Sequence, residues 1–167
     1  MEEQLHHQEH TSALIQELVS GSDINALHAS EPAVAYSTMN NQEGSFLRLV
    51  HVSREGLSYA KFIVAMEAFD FSKKILAQVL HTSERTLERI HKEKKRLSTP
   101  QTERVIELSL LFEKGWSVFG NKTKFRRWLD RNYIPYGGIS PMSLLDTSQG
   151  IRAVHDALGR IEHGVLA

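Results

Sequence analysis

The chain has 167 residues, with twenty Lys and Arg against twenty Asp and Glu, nine His and no cysteine. That length suits one ordinary domain or two small ones sharing a core, and the missing cysteines exclude disulfides, thiolate metal sites and cysteine nucleophiles. No apolar run approaches the length that spans a bilayer, and the acidic start MEEQLHHQEH lacks the basic region of a secretion signal, so a cytoplasmic protein without membrane association is expected.

The zero net charge hides a segregation. Residues 1–45 hold seven acidic side chains and no Lys or Arg; residues 46–134 hold eighteen basic and ten acidic ones; residues 135–167 hold two basic and three acidic. A basic middle segment is the footprint of a polyanion partner, which the acidic start would shield. By charge alone, a solvated helix surface would look the same.

Residues 1–45 read as an acidic arm, partly ordered at best. Leu14, Ile15 and Leu18 can share one side of a short helix, but Gly21, Pro32 and a Ser/Asn-rich stretch interrupt the pattern. His6, His7 and His10 cluster on a helical turn, yet no carboxylate stands at ligand spacing, so a polar solvated terminus is expected and no metal site. Phe46–Val52 reads as a short strand or an apolar linker, with no strand partner nearby. From residue 57 the period turns helical: Tyr59, Phe62, Ile63 and Met66 fall on one face. Residues 71–80 form the next helix, with Ser72 as N-cap, and Ser83 opens another into His91. Leu97-Ser98-Thr99-Pro100 breaks that run and starts a helix with proline in its first turn. Val105, Leu108, Phe112 and Phe119 are its buried stripe. Phe125, Trp128 and Leu129 mark a further helix that ends before Pro135, and residues 135–141 form a glycine- and proline-rich loop. The last helix is expected to start near Asp146, with Gln149 in capping-box position. The fold class is all-α, with six or so helices.

Residues 71–91, FSKKILAQVLHTSERTLERIH, carry the strongest local pattern. A helix-turn-helix crosses two short helices steeply, so the contacting residues must be small or apolar. Leu76 and Leu80 face inward from the first helix, Ala77 permits close approach, and Leu87 and Ile90 face inward from the second. Ser83, Arg85 and Thr86 lie in the first turn of the second helix, where base edges are reached, while Arg89, Lys92, Lys94 and Lys95 suit phosphates. His81 stands in the turn where glycine is common because the backbone there is left-handed; histidine tolerates that conformation better than most residues. An ordinary helical hairpin with a basic exposed face would share much of this pattern.

Near the C-terminus, Ile151, Val154, Leu158, Ile161 and Val165 form a continuous apolar seam flanked by Ala153 and Ala157. Gly159 interrupts it at a cost of roughly 1 kcal/mol against alanine, which makes sense if another backbone or ligand comes close. Gly164 suits a helix C-terminus. Neighbouring Arg160, Glu162 and His163 point in different directions and cannot jointly address one substrate atom, and no phosphate-cradling glycine loop is present; no catalytic residues and no cofactor are expected.

The run GGISPMSLLDT at 137–147 and the ending LGRIEHGVLA at 158–167 resemble the C-terminal domain of Xre/MbcA/ParS-type antitoxins, the partners of RES-domain toxins. The likeness extends over about residues 57–167, through the upstream helix-turn-helix, the Leu97-Ser98 boundary, the helix ending in Val118-Phe119-Gly120 and the Arg127-Trp128-Leu129 segment. It implies an acidic arm (1–45) outside the match, a DNA-binding domain (46–98) and a helical toxin-binding domain (99–167). It further implies that the middle domain binds operator DNA and represses its own operon, while the C-terminal domain binds an NAD-consuming RES toxin and obstructs its pocket. The toxin-binding residues expected on this basis are Gly159, Arg160, Glu162, His163, Gly164, Val165, Leu166 and Ala167. A homodimer within a larger toxin–antitoxin complex is expected, with half-sites about one DNA turn apart. The family's Asn-Pro-small-Leu ahead of the paired glycines is here Ile134-Pro135-Tyr136, which changes the loop surface. A stand-alone helix-turn-helix regulator with a C-terminal dimerisation domain, and an adaptor that has lost DNA binding, are the competing readings.

Overall fold

A computed structural model describes residues 13–20 and 41–164. Among these are eight α-helices: α1 (Ala13–Val19), α2 (Asn41–Glu55), α3 (Tyr59–Phe69), α4 (Lys73–Val79), α5 (Glu84–Glu93), α6 (Thr99–Phe119), α7 (Lys122–Asp130) and α8 (Ser148–Glu162). Two 3-10 turns, Ile134–Tyr136 and Pro141–Leu144, lie between α7 and α8, and the described residues contain no strand beyond the bridge Tyr133–Ile139. The histidines His6, His7 and His10 and the terminal Val165, Leu166 and Ala167 lie outside the described residues.

The 21-residue α6 is the spine, and α1, α2, α3, α7 and α8 all pack against it. Its start is over-determined. Ser98 takes extended N-cap geometry, Pro100 sits in the first turn, and Gln101 closes a capping box by accepting the Ser98 N–H at 3.1 Å. Thr102, Val105, Ile106, Leu108, Leu111 and Phe112 are buried along it. A Cβ on Gly115 would meet the Phe125 ring at 2.3 Å, so glycine there is what lets α7 lie close. An aromatic cluster then joins the two halves of the chain: Phe112 touches Phe69, Phe71, Trp116 and Phe125, and Phe125 continues to Phe119 and Trp128.

Two local expectations need correction, and a third gains a partner. Phe46–Val52 is neither strand nor linker but part of α2; Val52 is buried, Leu49 packs on the core and α2 lies along α6, so tertiary packing overrides the β-branched local preference. The last helix does not start at Asp146: Thr147 is the N-cap, its hydroxyl accepting the Gly150 N–H at 2.9 Å. The preceding 3-10 turn folds back so tightly that the Leu144 carbonyl oxygen would stand 1.8 Å from a Cβ on Gly150, and the chain enters the helix only after that turn. The arm, finally, contains a docked element. Leu14, Ile15, Leu18 and Val19 of α1 are all buried, although α1 is too short to persist alone. Two charged side chains hold its ends. Glu113 Oε1 accepts the Ile15 N–H at 2.8 Å, and Lys61 Nζ donates to the Leu18 carbonyl at 2.7 Å and to that of Ser20. The base at the helix C-terminus complements the helix dipole, while the Glu113 carboxyl satisfies an otherwise unpaired N–H at its start.

Candidate functional site

The residues 57–97 close into a unit. The Leu97 N–H donates to the Leu57 carbonyl at 2.9 Å, and the Leu57 N–H donates to buried Thr102 Oγ1 at 2.8 Å. Inside it, Ser72 caps α4 and Ser83 caps α5, each in extended geometry and each accepting the N–H three residues on. Leu76, Ala77, Val79, Leu80, Leu87 and Ile90 are buried between the helices. His81 takes φ +50°, the left-handed conformation expected of a glycine position in this turn. Its Nε2 lies 3.3 Å from an Arg104 nitrogen, and Arg104 also binds Glu107 at 3.0 Å and Ser148 Oγ at 3.3 Å. Arg104 therefore ties the turn of the helix-turn-helix to the start of α8.

The structure sorts the expected DNA-binding residues. Arg85, Arg89 and Lys92 are exposed on α5. Ser83 Oγ is taken up by the cap: it accepts the Thr86 N–H at 3.1 Å and lies 3.0 Å from Thr86 Oγ1, which leaves half-buried Thr86 equally committed. Both hydroxyls thus serve first to start the helix. Lys94 is the left-handed C-cap of α5, Lys95 pairs with Glu93, and Arg96 donates to the Gly56 carbonyl at 2.8 Å. Glu88 on the outer face pairs with Lys73 at 3.6 Å, placing the start of α4 beside the exposed face of α5.

A second surface forms at the end of α8. Ile151, Val154, Ala157 and Leu158 are buried, and half-buried Ile161 continues the seam. Gly159 has nothing within 4 Å of where a Cβ would stand, and the same holds for Gly137, Gly138 and Gly164. Gly159 is therefore not required by any close approach within the described residues; it leaves open space on the helix. Arg160 and Glu162 are partly engaged inside the protein. Glu162 pairs with Lys114 of α6, which holds its carboxyl below the usual range, and Arg160 lies by Tyr136, whose hydroxyl burial pushes up and Arg160 pulls back. Tyr136 donates to the Ala153 carbonyl at 2.6 Å and fastens the 134–139 loop to α8. His163 and Gly164 are exposed. Outside the expected toxin-binding set, Ile134 and Ile139 are 89% and 46% exposed on that loop. Two apolar side chains flanking paired glycines were the available signal.

Among the described residues no group of His, Asp and Glu is arranged to hold a metal ion, and no helix is long and apolar enough to cross a membrane. The fold and these surfaces define a helix-turn-helix protein with a second helical module fused through a shared spine. Comparison with known families narrows this. Residues 48–109 match the antitoxin Xre-like helix-turn-helix domain, and residues 116–164 match the antitoxin Xre/MbcA/ParS C-terminal toxin-binding domain. The chain belongs to the Xre/MbcA/ParS-type antitoxins. It is 29% identical over 75 residues to "Antitoxin Xre" of Photorhabdus laumondii subsp. laumondii; the match covers 44% of this chain and 51% of that protein, so about half the length of the relative is spanned.

Proposed function

We propose that this protein is the antitoxin of a type II toxin–antitoxin system. It neutralises a RES-domain, NAD-consuming toxin by covering the toxin's active site, and it represses its own operon through the helix-turn-helix, acting as a cytoplasmic homodimer within the toxin–antitoxin complex. On this reading residues 46–98 meet operator DNA and residues 99–167 carry the toxin surface, with α6 as their common spine. The observation that carries the reading is the toxin-binding family match over residues 116–164, laid on a surface that holds open glycines beside exposed Ile134 and Ile139.

Growth rescue tests it. Coexpression with a RES-type toxin encoded beside it restores growth, and deletion of residues 159–167 abolishes rescue. Gly159→Ala separates folding from recognition: it fills open space and removes a poor helix former, raising stability by up to about 1 kcal/mol, yet it weakens toxin binding. Full rescue by the truncated chain refutes the role of the tail. For DNA, Arg85→Ala lowers affinity for the upstream operator selectively, whereas Lys94→Ala lowers it for all sequences alike. Unchanged gel-shift affinity in both variants rejects the assigned face.

A further inference from the structure

Helix α7 belongs to the C-terminal module, but it is fastened to the entrance of the helix-turn-helix. Arg126 Nη1 donates to the carbonyls of Phe69 at 3.2 Å and Asp70 at 2.8 Å, and its guanidinium lies 5.8 Å from the Phe71 ring centroid. These residues immediately precede Ser72, the N-cap of α4, and the exposed Lys73 and Lys74 follow. Lys73 in turn reaches Glu88 on the outer face of α5. A continuous path of contacts therefore leads from the recognition helix, through the start of α4, to α7. Between α7 and the α3–α4 turn opens a cleft of about 640 Å³, and Lys122, Arg127 and Arg131 line it from the α7 side. All three are exposed. The cleft also holds acids: Asp130 is held by Arg126 at 2.9 Å, and Glu67 and Asp70 lie on the opposite wall. The lining is thus mixed in sign, with Arg126 engaged by Asp130 and the backbone, and Lys122, Arg127 and Arg131 the exposed cations.

In a helix-turn-helix complex the first helix crosses the DNA backbone while the second enters the groove. On that geometry the start of α4 lies at the DNA backbone, and Arg126 fastens α7 next to it. We propose that α7 is an auxiliary DNA-binding element whose Lys122, Arg127 and Arg131 engage backbone phosphates flanking the half-site read by α5. The inference rests on the helix-turn-helix reading and extends it: the module with the toxin surface also contributes to operator affinity. These contacts add no base readout, so they position the protein and steepen its salt dependence.

The test is a fluorescence-anisotropy titration of the full chain on its operator duplex and on a random duplex, at salt from about 50 to 200 mM. Each lost phosphate contact removes about 0.9 from the slope of log affinity against log salt, so Arg127→Ala/Arg131→Ala flattens it by about 1.8 and weakens both duplexes alike. The charge-preserving Arg127→Lys/Arg131→Lys retains most of the slope. Circular dichroism and toxin co-purification stay unchanged in both variants. Arg85→Ala gives the complementary result, a lost preference for operator over random DNA with little change in slope. A wild-type slope in the alanine double variant overturns the role of α7 while leaving the helix-turn-helix reading intact. Loss of toxin co-purification with DNA binding preserved overturns it in favour of a protein partner. Failure of the wild-type chain to bind either duplex removes both readings together.

Discussion

Replacing Glu113 by glutamine isolates the energetics of the docked N-terminal helix. Glu113 is 8% exposed, and burial pushes its carboxyl from 4.5 to about 7, while the backbone N–H groups of Ile15 and Leu14 pull it only part of the way back. Because the folded value is raised, the acid's contribution to stability is fully present below about pH 4.5 and is lost as the pH rises through about 7. Each pH unit between those limits is worth about 1.4 kcal/mol, and residual solvent screening at the carboxyl reduces the total to on the order of 2 kcal/mol. Glutamine is the neutral isostere of the protonated acid, and its Oε1 still accepts the Ile15 N–H. Urea unfolding at steps between pH 5 and 8 should therefore find the two proteins closest in stability at pH 5. By pH 8 Glu113→Gln should be the more stable by about 2 kcal/mol. Every other titratable group is common to both chains, so the difference between the curves is the quantity to read. Parallel curves from pH 5 to 8 would show that Glu113 is not buried against α1 and would refute the docking geometry.

Two substitutions probe the packing around the spine. Leu18→Ala removes a fully buried side chain of α1 and should cost about 2–5 kcal/mol in urea unfolding; a loss under about 0.5 kcal/mol would mean that α1 does not dock. Gly150→Ala forces a Cβ to 1.8 Å from the Leu144 carbonyl oxygen, a backbone atom that cannot swing aside, and should lower stability by at least about 1–3 kcal/mol. An unchanged melting temperature would show that the turn before α8 has room to spare.

The contrast between α5 and α1 shows what a sequence of this kind makes legible. Everything that defines α5 lies within a dozen residues: the Ser83 cap, the inward Leu87 and Ile90, the outward arginines and the left-handed His81 just before it. Local spacing is sufficient for such an element, and the reading of residues 71–91 needs only its boundaries trimmed. Helix α1 has the opposite character. Its seven residues hold together through Glu113, 98 positions away, and Lys61, 43 positions from Leu18, so no window of sequence contains its stabilising partners. Helix α2 misleads for the same reason, because contact with α6 rather than local preference decides its state. The surface at the end of α8, proposed to meet the toxin, falls between these cases. Its residue types form a recognisable string, but whether a side chain faces inward depends on packing, and so Glu162 reaches Lys114 while Ile134, read only as part of a changed loop surface, stands almost wholly in solvent. Recognition surfaces carry no periodicity of their own. They are what remains after the core has claimed its residues; Gly159, expected to admit a close backbone or ligand, has open space beside it among the described residues, which leaves only the second of those for the proposed surface.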